Sequence, residues 1–409
     1  MPISELQFIG LSGHLESNAP GHFETFHKGL WDGVSAVLGG SNSRFIGVWK
    51  SNDKDCWFDP LIPSSMTSTI PWLPKRFLKQ LDEYTRKSEE LNILYVYEGN
   101  LPILFLLGSF TRKRKNVFLY FNFFDSNKYM SILNSRYKCI LFKLLLVLAS
   151  RGKNQKIALV ADTEKFANLL TSKLDKNFLT FPMYSAFDPS HLLYKKREVC
   201  LINLRGAKSE SLLKSIFEYY PEMQNIEFEI HGIHNEETAR FLKKFSNIKL
   251  LMNQVNYTAY LMSYNKYKRV AFIYDPGFFS MQSSGRLADA IVAGTEIVVP
   301  KGTSLEDALL EYGNGSWFDF ENEKSLVTAL LQGPILPKKV DYLPTNIRAA
   351  TKILDAMKSL ISNSSNVQES RKKMIANHFI DELIWLVIGS LRCLFGTRRQ
   401  IRKVLGFNR

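Results

Sequence analysis

The stretch that most constrains this chain runs from Arg269 to Thr303, RVAFIYDPGFFSMQSSGRLADAIVAGTEIVVPKGT. Arg269 to Tyr274 is an apolar run of the kind found in a strand buried on both faces. Asp275-Pro276-Gly277 ends it, because proline lacks a ladder donor and glycine permits a sharp turn. A short loop leads to Ser283-Ser284-Gly285, where either serine can cap backbone N–H groups and open a helix. Leu287, Ala290 and Ile291 form the apolar face of that helix, Gly294 stops it, and Glu296 to Pro300 is a second buried strand. A strand–loop–helix–strand unit of this type leaves free N–H groups and the positive end of a helix dipole at the carboxyl edge of a parallel sheet. Open α/β folds bind anionic ligands at that edge.

The run SGRLADAIVAGTEIVVPKGT, with Tyr274-Asp275-Pro276 before it and Glu311-Tyr312-Gly313-Asn314-Gly315 after it, resembles the donor-binding region of GT-B glycosyltransferases. The similarity is greatest to the retaining group called family 4. The resemblance implies two Rossmann-like domains facing a cleft, with a C-terminal helix packing back on the N-terminal domain. It also implies that the backbone around Ser283, Ser284 and Gly285 holds a sugar-nucleotide diphosphate, that Asp289 takes the ribose, and that Tyr274 lines the donor site. The family's glutamate, eight positions before that acid, is Met281 here, so the donor-sugar contact has no assigned residue.

With 409 residues the chain is long enough for two full cores. Lys and Arg exceed Asp and Glu by 14, which points to an anionic partner: a nucleotide, a phospholipid surface or a nucleic acid. Nucleic acid is set aside, because the chain carries no recognition module and no aromatic–basic stripe. The sequence after Met1 lacks the basic and apolar regions of a signal peptide, and its longest apolar runs are short of a membrane span. The four cysteines, Cys56, Cys139, Cys200 and Cys393, are far apart and suit reduced thiols. The expected location is cytoplasmic, with peripheral contact at the inner face of a membrane.

In the first half, Leu6–Gly10 reads as a strand, Leu11–Gly21 as a loop and His22–Leu38 as a helix. Asn92–Tyr97, Val117–Phe124 and Lys156–Asp162 read as strands, and Ile132–Ser150 as one helix. This alternation predicts a parallel sheet covered on both faces. The first domain is expected over 1–185, with a linker from Phe181-Pro182 to Pro189-Ser190. His22 and Glu98 are the catalytic-side candidates. His22 follows the first strand, where the resemblance places cleft residues near phosphate or an acceptor hydroxyl. Glu98 sits at a strand end, where an acid faces the cleft and can orient an acceptor or act as a base. A surface histidine and a turn acid are the competing readings.

The second domain, expected over 190–370, repeats the pattern with strands at Glu198–Leu204, Ile226–Ile230 and Ile248–Met252 and helices at about 210–220 and 257–264. Arg205 and Lys208 follow its first strand, and by the resemblance they clamp the diphosphate and neutralise leaving-group charge. Solvated loop cations are the alternative. His231 and His234 have i, i+3 spacing, but zinc needs three or four donors and no further ligand cluster accompanies them. No metal and no cofactor is expected, since a helix end and cations serve instead. Thr303 reads as a loop support.

The segment 371–409 is expected to form an amphipathic, basic helix that packs on the first domain; for its cationic end, and for Arg112-Lys113-Arg114-Lys115, contact with an anionic membrane and a solvated basic face are the two readings. The implied function is transfer of a sugar from a nucleotide-diphosphate sugar to a glycan, lipid-linked or protein-linked acceptor in surface polysaccharide or glycoconjugate synthesis. A non-catalytic protein of the same fold, binding a glycan or a partner transferase, is the alternative.

Overall fold

The computed structural model describes residues 6–16, 22–39, 42–49, 59–63, 75–86, 91–97, 101–124, 126–150, 156–185, 196–251, 264, 266–339 and 343–364. The chain builds two α/β units in succession. The first comprises β1 (Leu6–Glu16), α1 (His22–Leu38), β2 (Ser43–Trp49), β3 (Asp59–Pro63), α2 (Lys75–Arg86), β4 (Leu91–Val96) and α3 (Leu101–Arg112). It continues through β5 (Val117–Phe123), α4 (Ser126–Leu133), α5 (Arg136–Ala149), β6 (Ile157–Ala161), α6 (Glu164–Leu174) and β7 (Leu179–Thr180). Its seven strands are all parallel, in the order β3-β2-β1-β4-β5-β6-β7.

The second unit comprises β8 (Arg197–Arg205), α7 (Ala207–Tyr219), β9 (Glu227–His231), α8 (Glu236–Leu242), β10 (Ile248–Leu250), β11 (Tyr267–Tyr274) and the single turn α9 (Pro276–Phe279). Then come α10 (Gly285–Val292), β12 (Glu296–Pro300), α11 (Ser304–Tyr312), β13 (Gly313–Phe318), α12 (Glu323–Leu331) and β14 (Leu336–Lys338). The sheet order is β10-β9-β8-β11-β12-β13-β14, with only β14 antiparallel. Strand order reverses between β1 and β4 and between β8 and β11. These are the two switch points at which such sheets open a crevice beyond their carboxyl ends.

The central strands are mostly apolar because helices cover both sheet faces: β5 is buried at every residue, with Asn122 its one polar side chain apart from the Tyr120 hydroxyl, and β11 is buried from Val270 to Tyr274. One helix then returns to the first unit. α13 (Asn346–Ser364) lays Ala349, Ala350, Ile353, Leu354, Met357 and Ile361 against Phe26, Leu30, Val34 and Leu38 of α1. Each fully buried isoleucine, leucine or methionine side chain among them contributes about 1.5–3 kcal/mol relative to leaving it in water. Gly33 lets the two helices approach closely, since a Cβ there would lie 2.5 Å from the Asn346 carbonyl oxygen. Asn346 Nδ2 donates to the Gly29 carbonyl at 3.0 Å.

Several expectations are corrected. The first strand does not stop at Gly10 but runs to Glu16, because β2 continues to pair beside it as far as Val48. The expected single helix over 132–150 is two, α4 and α5. The chain breaks at Asn134-Ser135, where Ser135 is extended as the N-cap residue of α5. The returning helix is α13, earlier than expected; 371–409 lies outside the described residues, as does most of the helix expected at 257–264. Gly313-Asn314-Gly315 opens β13, with Gly313 at φ 76°. Among the described residues no helix is long and apolar enough to cross a membrane.

Candidate active site

The two sheets direct their carboxyl edges at each other across a cleft of about 530 Å³. Phe26, Tyr97, Phe124, Phe181 and Tyr184 line it from the first unit, and Arg205, His231, Tyr274, Gln282, Ser283, Ser284, Gly285 and Arg286 from the second. One wall is therefore largely aromatic but includes the Asp162 carboxylate, and the other carries cations, a histidine and a helix end.

The second wall is set by turns that need particular residues. After β8 the chain turns at Gly206 with φ 105°, a conformation that favours glycine. This leaves the exposed Arg205 at the strand end, its guanidinium 5.2 Å from the centre of the Phe279 ring. After β9 the chain turns at Gly232 with φ 94°, where a Cβ would lie 2.4 Å from the Leu204 carbonyl oxygen. The buried Glu210 carboxylate holds that turn, accepting from the backbone N–H of His234 at 2.9 Å and Asn235 at 3.1 Å. Beyond β11, Asp275 caps α9 through the Gly277 N–H at 2.9 Å, and Ser304 donates to the Phe279 carbonyl at 3.1 Å. The approach to α10 is thus held from both sides.

Ser284 is the N-cap residue of α10, yet its side chain makes no capping hydrogen bond. Neither serine caps the helix as expected. Ser283 instead gives both its backbone N–H and its hydroxyl to Asp162 Oδ2 of the first unit, each at 3.3 Å. Asp162 follows β6 and is buried, so a carboxylate from the opposite sheet meets the positive end of α10. Next to it, Thr163 Oγ1 donates to the Met281 carbonyl at 2.6 Å, and Asn127 Nδ2 donates to Gln282 Oε1 at 3.0 Å.

Arg286, in the first turn of α10, approaches His231 Nδ1 at 3.4 Å. Since a guanidinium can only donate, Nδ1 accepts and the imidazole is neutral. Burial, with Arg286 and then His234 nearby, lowers the His231 pKa to about 4. The wall therefore carries two arginines and a neutral histidine around one helix end, an arrangement that accepts an anion with several oxygens.

The sequence candidates meet different fates. Arg205, Tyr274, Ser283, Ser284 and Gly285 meet in the cleft. Lys208 is exposed in the first turn of α7 and is not part of the cleft lining. Asp289 is 2% exposed and accepts from Ser185 Oγ at 2.6 Å, so a ribose would reach it only by displacing that hydroxyl. His22 begins α1, and Glu98 lies outside the described residues. Arg286 and Gln282 were missed. Arg286 follows the helix-opening glycine directly, and a cation at that position was the available signal. Among the described residues no three His, Cys, Asp or Glu side chains gather as a metal site.

No protein-family model matches the sequence, and no curated protein sequence matches it. Solved structures do match over most of the chain. AviGT4, a glycosyltransferase involved in avilamycin A biosynthesis, is 10% identical and aligns over 87% of this chain and 98% of its own with a TM-score of 0.51. Sucrose-phosphate synthase from Thermosynechococcus elongatus is 12% identical, over 87% and 97%, with a TM-score of 0.51. UDP-GlcNAc 2-epimerase from Neisseria meningitidis, solved bound to UDP-GlcNAc, is 12% identical, over 86% and 99%, with a TM-score of 0.50. At these identities the likeness is one of fold: this chain has the GT-B fold found in glycosyltransferases and sugar-nucleotide epimerases.

Proposed function

We propose that the protein is a glycosyltransferase that uses a nucleotide-diphosphate sugar. The observation that carries this reading is the amino end of α10, opening into the cleft between Arg205 and Arg286. The diphosphate lies against Ser283, Ser284 and Gly285, where backbone N–H groups and the helix dipole favour negative charge. Arg205 and Arg286 neutralise the charge that develops on the leaving diphosphate as the glycosidic bond breaks. Neutral His231 can donate through Nε2 to a ligand oxygen while Arg286 holds Nδ1. The acceptor hydroxyl enters from the aromatic wall of the first unit, and closure of the cleft excludes water. Transfer proceeds with retention and without a protein nucleophile, onto a glycan, lipid-linked or protein-linked acceptor in surface polysaccharide or glycoconjugate synthesis, at an anionic membrane face. The resemblance to family 4 supports retention, and the net charge of +14 supports the membrane setting.

One observation favours a second reading, a non-catalytic binding protein. Met281, at the family's glutamate position, packs against the apolar core of the first unit, so no acid stands there to meet a donor sugar. Thermal unfolding against UDP, GDP, ADP, CMP and their sugar conjugates tests the site itself. A nucleotide at a hundred times its dissociation constant adds about 2.7 kcal/mol of stability. No shift with any of them overturns the nucleotide site. A shift without transfer, hydrolysis or epimerisation of the conjugated sugar selects the binding protein.

A further inference from the structure

We propose that the outer face of α5 is the surface on which this protein docks to an anionic lipid bilayer. This refines the membrane setting proposed above and is independent of the donor site. α5 buries Phe142, Leu146 and Ala149 against its own unit. Its opposite face carries Tyr137, Ile140, Leu141, Leu144 and Val147, exposed by 86%, 51%, 57%, 57% and 41%. At helical spacing these five form one continuous stripe along the whole helix. Among the described residues the other large exposed apolar side chains are Tyr219, Phe278, Leu310, Ile335 and Ile347, no two of which share a helix or strand; single exposures are ordinary, and a row of five on one helix is not.

Charge identifies the occupant. From residue 126 to 161 the sequence holds seven Lys or Arg and no Asp or Glu. Arg136 and Lys138 are exposed beside the stripe at the start of α5, and Lys113 and Lys115 are exposed near its end. The basic tract 112–115 reaches that end because Arg112 donates to the Ala149 carbonyl at 2.7 Å. Arg114 is paired with Asp82, so the two lysines carry the outward charge of the tract. The acid bonded to the helix is Asp175, which is taken up by Lys143.

An apolar ridge with cations at both ends matches the boundary between headgroups and acyl chains. There leucine and isoleucine enter, tyrosine sits at headgroup level, and lysine and arginine reach anionic phosphates. A second copy would set cation against cation. The segment after Ser364 would do the same, since its end carries Arg392, Arg398, Arg399, Arg402, Lys403 and Arg409.

The experiment is flotation of the full chain with phosphatidylcholine vesicles, with and without phosphatidylglycerol. It uses the wild type, the double variant Leu141→Gln/Leu144→Gln, and a chain ending at Ser364. UDP-dependent thermal stabilisation shows in parallel that each variant is folded, and a failed response in the wild type strikes the donor reading alone. The wild type should float only with the anionic vesicles. The double variant should lose about tenfold in partitioning, and the shortened chain should retain α5-dependent binding. A Leu144→Trp variant should shift its emission to the blue on anionic vesicles. Undiminished flotation of the double variant, or loss of all binding in the shortened chain, overturns the α5 assignment while keeping the membrane setting. Failure of the wild type to float overturns both. A wild-type dimer that the double variant dissolves assigns the face to a second copy.

Discussion

Asp162 occupies the place that the proposed diphosphate needs, and Asp162→Asn measures that competition. Its Oδ2 lies 3.3 Å from the Ser283 nitrogen and hydroxyl. A phosphate oxygen bonded to the same N–H would sit about 3 Å from that nitrogen, bringing its charge within roughly 5 Å of the carboxylate. At an effective dielectric constant near 20, two like charges at that distance repel by about 3 kcal/mol. The cleft is open to water, so roughly half of this survives, about 1.5 kcal/mol. That corresponds to a little over tenfold in affinity. Asparagine keeps the shape and removes the charge, and its amide can donate to phosphate. Titration calorimetry with UDP should therefore show about tenfold tighter binding in the variant at low salt. The advantage should shrink as ionic strength rises, because it is electrostatic. Equal or weaker UDP binding by the variant, with the fold intact, would refute the idea that carboxylate and diphosphate share one helix end.

Arg286→Ala should weaken UDP binding by about tenfold or more, a charged hydrogen bond contributing roughly 1.5–3 kcal/mol; unchanged affinity in calorimetry would remove Arg286 from the site. His231 bears on acid stability. Its folded pKa, about 4, lies below the unfolded value near 6.5, so the unfolded chain takes up a proton first and stability falls as pH drops from about 6.5 towards 4. Denaturant titrations of His231→Gln should show a flatter decline over that window, and an identical pH profile would contradict it. Gly33→Ala places a methyl 2.5 Å from the Asn346 carbonyl oxygen. Overpacking costs about 1–3 kcal/mol and helix propensity returns up to about 1, so a net loss of about 1–2 kcal/mol should lower the melting temperature. An unchanged or higher value would mean that the two helices move apart freely.

Much of this fold was legible where burial dictates pattern. β11, β12 and the glycine that ends α10 stand out because a strand covered on both faces must be apolar and a helix must stop somewhere. What escaped was set by partners distant in sequence. Leu11 to Glu16 has loop-like composition, but a neighbouring strand extends it. Ser135 interrupts what looks like one apolar helix, although no proline or glycine marks the break. In the site, Ser283 and Ser284 were found from local capping chemistry, whereas their true counterpart, Asp162, lies 121 residues away. Asp289 shows the converse: its place in the motif is plain, but its bond to Ser185 belongs to the packing of the two units and leaves no trace in the local sequence.

The returning helix has a consequence for how the protein is made. The first unit's strands and α1 are complete before the second begins, yet six buried residues of their core arrive only with 346–364. While the chain is being synthesised, the groove over Phe26, Leu30 and Val34 has nothing to close it until the whole second unit has been translated. The first half is therefore held in an unfinished, adhesive form until residues 346–364 have been made. Expression of residues 1–185 alone should yield an aggregating fragment, which co-expressed or fused 343–364 should rescue.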